Sequence, residues 1–176
     1  MTNIIGQTTS AAAHSTLQVT NQIPVFKGQP GLVHSDRMKQ VAETIAMQCG
    51  VNLYQEMPSI QIGLKGKTRY KELTIRGHGE LRRVSVYQEI TIRGEQCVSP
   101  YIDFCFDEHK NWYAASLHYH LAPRVSCLKP GSDKPPYEVI DVELQHELAA
   151  FADSWADELV NEYWLDKGII RFACRF

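Results

Sequence analysis

Apolar and polar positions along this chain change their period twice. Over residues 36–49, Met38, Val41, Ala42, Ile45 and Cys49 recur at helical spacing, which predicts an amphipathic helix. Ser35 precedes it as an N-cap, Asp36 follows in the first turn, and Gly50 stands where a C-capping glycine belongs. From about Ser59 the period becomes two. "SIQIGL" turns Ile60, Ile62 and Leu64 to one face, and "ELTIR" turns Leu73 and Ile75 inward. "RVSVYQEITIR" does the same with Val84, Val86, Ile90 and Ile92, and "YIDFCFD" with Ile102, Phe104 and Phe106. "WYAASLHYHL" returns with Tyr113, Ala115, Leu117, Tyr119 and Leu121 inward and Trp112 outward. Short turns such as "GHGE" and "EHKN" between alternating strands predict an antiparallel meander. Residues 123–137, with four prolines and Gly131, read as loop. Helical spacing then resumes. Asp141 caps a second helix whose stripe is Leu144, Leu148, Phe151, Trp155 and Leu159. Gly168 ends it before a last short strand, "IIRFACRF".

The predicted fold is α+β: a two-layer sandwich with an antiparallel meander of about five strands. Both amphipathic helices lie on one face, because each has a single apolar stripe to bury. The opposite sheet face is expected to be open or bound by a partner. Residues 1–30, rich in Thr, Ser, Ala, Gln and Asn, predict a flexible N-terminal arm, with an apolar patch at Ile23–Phe26 able to dock on a neighbour. Residues 31–176 form a single domain.

Pairing inward residues with inward residues sets a register. It joins Ile75 to Val84, Val84 to Phe106, Val86 to Phe104, Phe106 to Tyr113, Phe104 to Ala115 and Ile102 to Leu117. The outward rows are then Glu72–Tyr87–Asp103–Ser116, Tyr70–Glu89–Tyr101–His118, Thr91–Ser99–His120 and Arg76–Arg83–Asp107–Trp112.

These rows frame the candidate chemistry. His118 and His120 are two apart and share a strand face, with Asp103 diagonal to His118, so the three are a candidate metal set. His118, oriented by Asp103 or Glu89, is also a candidate general base, with Ser116 or Cys105 as nucleophile; no nucleophile elbow surrounds that serine. Cys127 lies in the proline-rich loop near Arg124 and Lys129, which would favour its thiolate. The order of helix, meander, proline-rich loop with cysteine, and helix resembles that of ubiquitin-conjugating domains. That resemblance is one of element order alone, and the proline and asparagine motifs of such a site are not evident around Cys127.

Charge adds a further reading. The net charge is −2, but residues 1–98 hold 11 Lys/Arg against 7 Asp/Glu, and residues 99–176 hold 7 against 13. The basic centre at 65–93 shares the outer face with aromatics. Tyr70, Arg76, Tyr87, Arg93, Tyr101 and Trp112 are the candidate binding residues for single-stranded nucleic acid or a protein partner. Glu72, Glu89 and Asp103 among the tyrosines would repel phosphates.

The composition, 44% hydrophobic and 22% charged, is that of an ordinary soluble domain. No apolar run spans a bilayer, no signal-peptide pattern opens the chain, and the five cysteines show no CxxC spacing. A cytoplasmic protein with reduced thiols, no membrane association and no cofactor is expected. The reading that uses most of the sequence is a non-enzymatic binding or assembly module. It acts through the open sheet face and the N-terminal arm, on a protein partner or by self-association. The alternatives are a single-stranded nucleic-acid binder, and a hydrolase or transferase using His118, His120 and Asp103, or Cys127.

Overall fold

The computed structural model describes residues 25–27, 31–55, 57–64, 71–92, 94–162 and 164–174. The order is α1 (Asp36–Gln48), β1 (Ser59–Leu64), β2 (Lys71–His78), β3 (Arg83–Ile92), β4 (Glu95–Phe106), β5 (Trp112–His118), β6 (Val125–Ser126), α2 (Val142–Asn161), α3 (Trp164–Lys167) and β7 (Gly168–Cys174). The strands form one antiparallel sheet in the order β6-β5-β4-β3-β2-β1-β7. The architecture is the expected α+β sandwich, with seven strands where about five were predicted. β6, of two residues, is the unpredicted one, and β7, the last short strand read after Gly168, returns to pair with β1.

Both predicted helical stripes pack into the core, with Cys49, Leu144 and Phe151 half-buried at its margin. Met38, Val41, Ala42, Ile45 and Ala46 of α1, and Leu148, Trp155 and Leu159 of α2, meet the sheet row Ile60–Ile75–Val86–Ile102 in one core. At about 25 cal/mol per Å² of apolar surface, this layer supplies most of the folding drive. Gly77 lies in β2 where the 51–58 connection crosses the strand, and a Cβ there would come within 2.2 Å of the Leu53 carbonyl oxygen. Only glycine allows that approach.

The helix ends depart from expectation in one respect. Asp141 caps α2 as predicted, accepting from the Leu144 N–H at 2.8 Å. Ser35 occupies the N-cap position of α1 but makes no capping bond, and its buried Oγ has no partner among the described residues. The Met38 N–H instead donates to Asp153 Oδ1 of α2 at 3.1 Å. A carboxylate from the neighbouring helix thus satisfies an orphan amide of α1 and fixes the two helices together. Gln145 adds a second clamp: its side-chain amide exchanges two hydrogen bonds of 2.9 Å with the backbone of Val33.

The register differs from the predicted one in two ways. The β2–β3 and β3–β4 pairings are displaced by two residues, giving Ile75↔Val86, Val84↔Phe104 and Arg83↔Cys105. A shift of two keeps every side chain on its face, so the in–out pattern is blind to it. In the β4–β5 pair, Ile102↔Leu117 and Asp103↔Ser116 match the prediction. A bulge then gives Phe104↔Ala114 and Phe106↔Trp112. Trp112, predicted outward, is therefore in the core at 0% exposure, and Tyr113 turns outward beside Cys105.

The outer face is not open throughout. Arg83 stacks on the Tyr137 ring at 4.6 Å and donates through Nη2 to the Ser132 carbonyl at 3.0 Å, so the 127–140 loop covers the end of the sheet holding Arg83, Cys105 and Tyr113. Val25–Lys27 add to this cover. Tyr137 N–H donates to the Val25 carbonyl at 2.7 Å, Lys27 N–H to the Tyr137 carbonyl at 2.9 Å, and Phe26 meets Tyr113 edge-on at 4.9 Å. Part of the apolar patch predicted to dock on a neighbour thus packs on its own domain.

The β4–β5 turn provides a pH-dependent element. Asp107 accepts hydrogen bonds from the His109 N–H, the Asn111 N–H and side-chain amide, and the Tyr113 hydroxyl. Burial alone would raise its pKa, but these four donors outweigh burial and hold the carboxyl below its ordinary value. A depressed folded-state pKa contributes stability above the unfolded value, near 3.9, that is lost as pH falls through the folded one. Asp107→Ala is expected to cost about 2 kcal/mol at pH 7. In urea titrations the gap from the wild type should shrink by pH 3; a constant gap would exclude an ionised Asp107 as its source.

Candidate functional site on the outer face and hairpin tip

The outward rows are Arg76–Ser85–Asp103–Ser116, Thr74–Tyr87–Tyr101–His118 and His78–Arg83–Cys105–Tyr113. Asp103 is the hub of the first. Its side chain is 9% exposed and accepts from Ser85 Oγ at 2.6 Å, Ser116 Oγ at 3.0 Å and Arg124 Nη2 at 2.7 Å. Arg124, from the hairpin after β5, also donates to Ser116 Oγ through Nε and Nη2, and the Tyr101 hydroxyl donates to Ser85 Oγ at 3.1 Å. The sequence pointed to Asp103 and Ser116 as neighbours. It did not reveal Arg124 as their partner, because β6 is too short to carry a strand pattern.

This network fixes the surroundings of several residues singled out in the sequence. Asp103 is engaged by Arg124 and two serines and does not orient His118. The buried Nδ1 of His118 has no partner among the described residues. Ser116 is 1% exposed, with its hydroxyl held between Asp103 and Arg124. Cys105 is fully buried, and burial pushes its thiol up to about 12. Cys127 is 1% exposed, donates to the Ala115 carbonyl, and is pushed by burial up to about 11, against the expectation of a favoured thiolate.

Among the described residues, no three His, Cys, Asp or Glu side chains gather to hold a metal. His120 points to another partner, its Nε2 lying 3.3 Å from the Sγ of Cys97.

The four predicted binding residues that are described do not form one platform. Tyr87 and Tyr101 stack on each other at 5.2 Å, which occupies a face of each ring, and Tyr87 is only 9% exposed. Arg76 is exposed, Trp112 is in the core, and Tyr70 and Arg93 lie outside the described residues.

The exposed feature of this region is the hairpin tip. Residues 119–125, "YHLAPRV", are all exposed. The Ala122 N–H donates to the Tyr119 carbonyl at 3.0 Å and closes a turn whose third residue is Leu121. Leu121 has φ +68° and is 93% exposed. Glycine or asparagine suits that backbone conformation, and a leucine there costs about 1–2 kcal/mol. Tyr119, resting on Phe151 at 5.8 Å, and Val125 extend the apolar tip.

Compared with known proteins, the chain matches no family model, no curated sequence and no solved structure. Among the described residues, no helix is long and apolar enough to cross a membrane.

Proposed function

We propose that this chain is a non-enzymatic assembly module, and that copies associate through the β5–β6 hairpin tip and the adjoining outer sheet face. The observation that carries the reading is Leu121: an apolar side chain, 93% exposed, held in a left-handed conformation that disfavours it. Folding gains nothing from that residue, whereas a contact with another chain gains its burial. Tyr119 and Val125 give the contact width, and Arg124 beside them is braced by Asp103. The buried cysteines and the engaged Ser116 and Asp103 favour this reading over nucleophilic catalysis.

Sedimentation velocity over a range of concentrations tests it. The wild type is expected to associate with rising concentration. Leu121→Asp should remain monomeric, with its unfolding free energy within the scatter of surface substitutions, about ±0.5 kcal/mol. Association that survives Leu121→Asp would reject the hairpin as the contact, and a wild-type monomer throughout would reject self-assembly.

A further inference from the structure

Beside the Asp103 network, a cleft of ≈ 400 Å³ opens between β3, β6 and the 127–140 loop, lined by Arg83, Arg124, Ser126, Lys129, Ser132 and Ile140 among others. We propose that this cleft binds a phosphomonoester of a small organic molecule, with the phosphoryl group between Arg83 and Arg124. The proposal does not rest on the hairpin reading.

Both guanidiniums are oriented before any ligand arrives. Arg83 lies flat on Tyr137, with Nη2 tied to the Ser132 carbonyl. Arg124 is held by Asp103 and Ser116 through Nε and Nη2. Arg83 also faces the Tyr137 hydroxyl and the Cys105 thiol, whereas Arg124 Nη1 makes no hydrogen bond among the described residues and keeps its donors for a further acceptor. A planar guanidinium braced on one side presents its remaining N–H groups in the fork that matches phosphate oxygens, and little side-chain entropy is left to lose. The Asp103 carboxylate offsets one of the two positive charges, so an incoming anion meets the remaining one.

The other walls set the ligand class. Lys129, Pro130, Gly131 and Ser132 form a turn closed by the Ser132 N–H on the Lys129 carbonyl, with Gly131 at φ +79°, the arrangement a type II Pro-Gly turn requires. Lys129 is engaged by Glu138 at 3.1 Å and Asp133 also lines the cleft, so recognition falls to the two arginines. Leu128 and Ile140 contribute apolar surface, and Ile140 is 59% exposed. The volume lies at the small end of ligand pockets, about 300–1,000 Å³, and leaves room for an apolar group attached to the phosphate.

The test is an NMR titration of the full-length protein with phenyl phosphate, inorganic phosphate and benzoate. Saturable shifts should map to the amides of residues 83, 124 and 126–133. Phenyl phosphate should bind more tightly than inorganic phosphate, and benzoate most weakly. Arg83→Gln and Arg124→Gln should each weaken phenyl phosphate about tenfold or more, a loss of about 1.4 kcal/mol. Ile140→Ser should weaken phenyl phosphate and leave inorganic phosphate unchanged. If one arginine variant fails to fold, the other variant and the wild-type map still decide. The proposal is overturned by no saturable shift, by shifts that map elsewhere, or by affinity unchanged in the arginine variants.

Discussion

Trp112→Ala is expected to destabilise the fold by about 4 kcal/mol, the middle of the range for an aromatic residue lost from a core. Trp112 is fully buried, packs on Phe104 at 5.1 Å, and donates through Nε1 to the Tyr54 hydroxyl at 3.1 Å. Removing it leaves a large void and strips a donor from Tyr54, which in turn bonds Glu43. Trp112→Phe keeps most of the volume and loses the N–H, so about 1–2 kcal/mol is expected. Urea unfolding of both variants measures this. A cost below about 0.5 kcal/mol for Trp112→Ala would place the tryptophan on the outer face, as the sequence register had it, and remove the β4–β5 bulge.

The second large effect belongs to Asp103. Asp103→Ala is expected to cost about 3 kcal/mol, since it leaves Ser85 and Ser116 as buried hydroxyls without their acceptor. The loss at Arg124 is smaller, because that side chain is 54% exposed and water replaces the carboxylate. Arg124→Ala should therefore cost only about 1 kcal/mol. The double variant should cost less than the sum of the two, because both remove the same ion pair. Additive costs would show that the pair contributes nothing beyond its separate hydrogen bonds.

The elements were legible wherever one face of an element is buried. The stripe Met38–Val41–Ala42–Ile45 and the alternation through Val84–Val86 and Ile102–Phe104 follow from the core alone. The register was legible only in part, because a displacement of two at Ile75↔Val86 preserves the face of every residue, whereas the bulge after Asp103 reverses it. β6 and the cover provided by Tyr137 escaped because a two-residue strand and a proline-rich loop carry no periodicity. The same cause hid Arg124, the residue that turns Asp103 and Ser116 from candidate chemistry into a braced network. Histidines 118 and 120 drew notice by their spacing, but the exposed leucine that follows them carries the functional reading.

β1 pairs with β2, which follows it directly, and on its other edge with β7, which begins roughly a hundred residues later in the chain. On the ribosome these partners emerge at different times. At about 5–20 residues per second, the second edge of β1 waits on the order of 5–20 s for Gly168–Cys174 to be synthesised. Throughout that interval the nascent sheet offers an apolar strand edge to chains translated beside it. A polypeptide that stalls before Gly168 keeps that edge for good, which makes it a substrate for chaperones or for degradation.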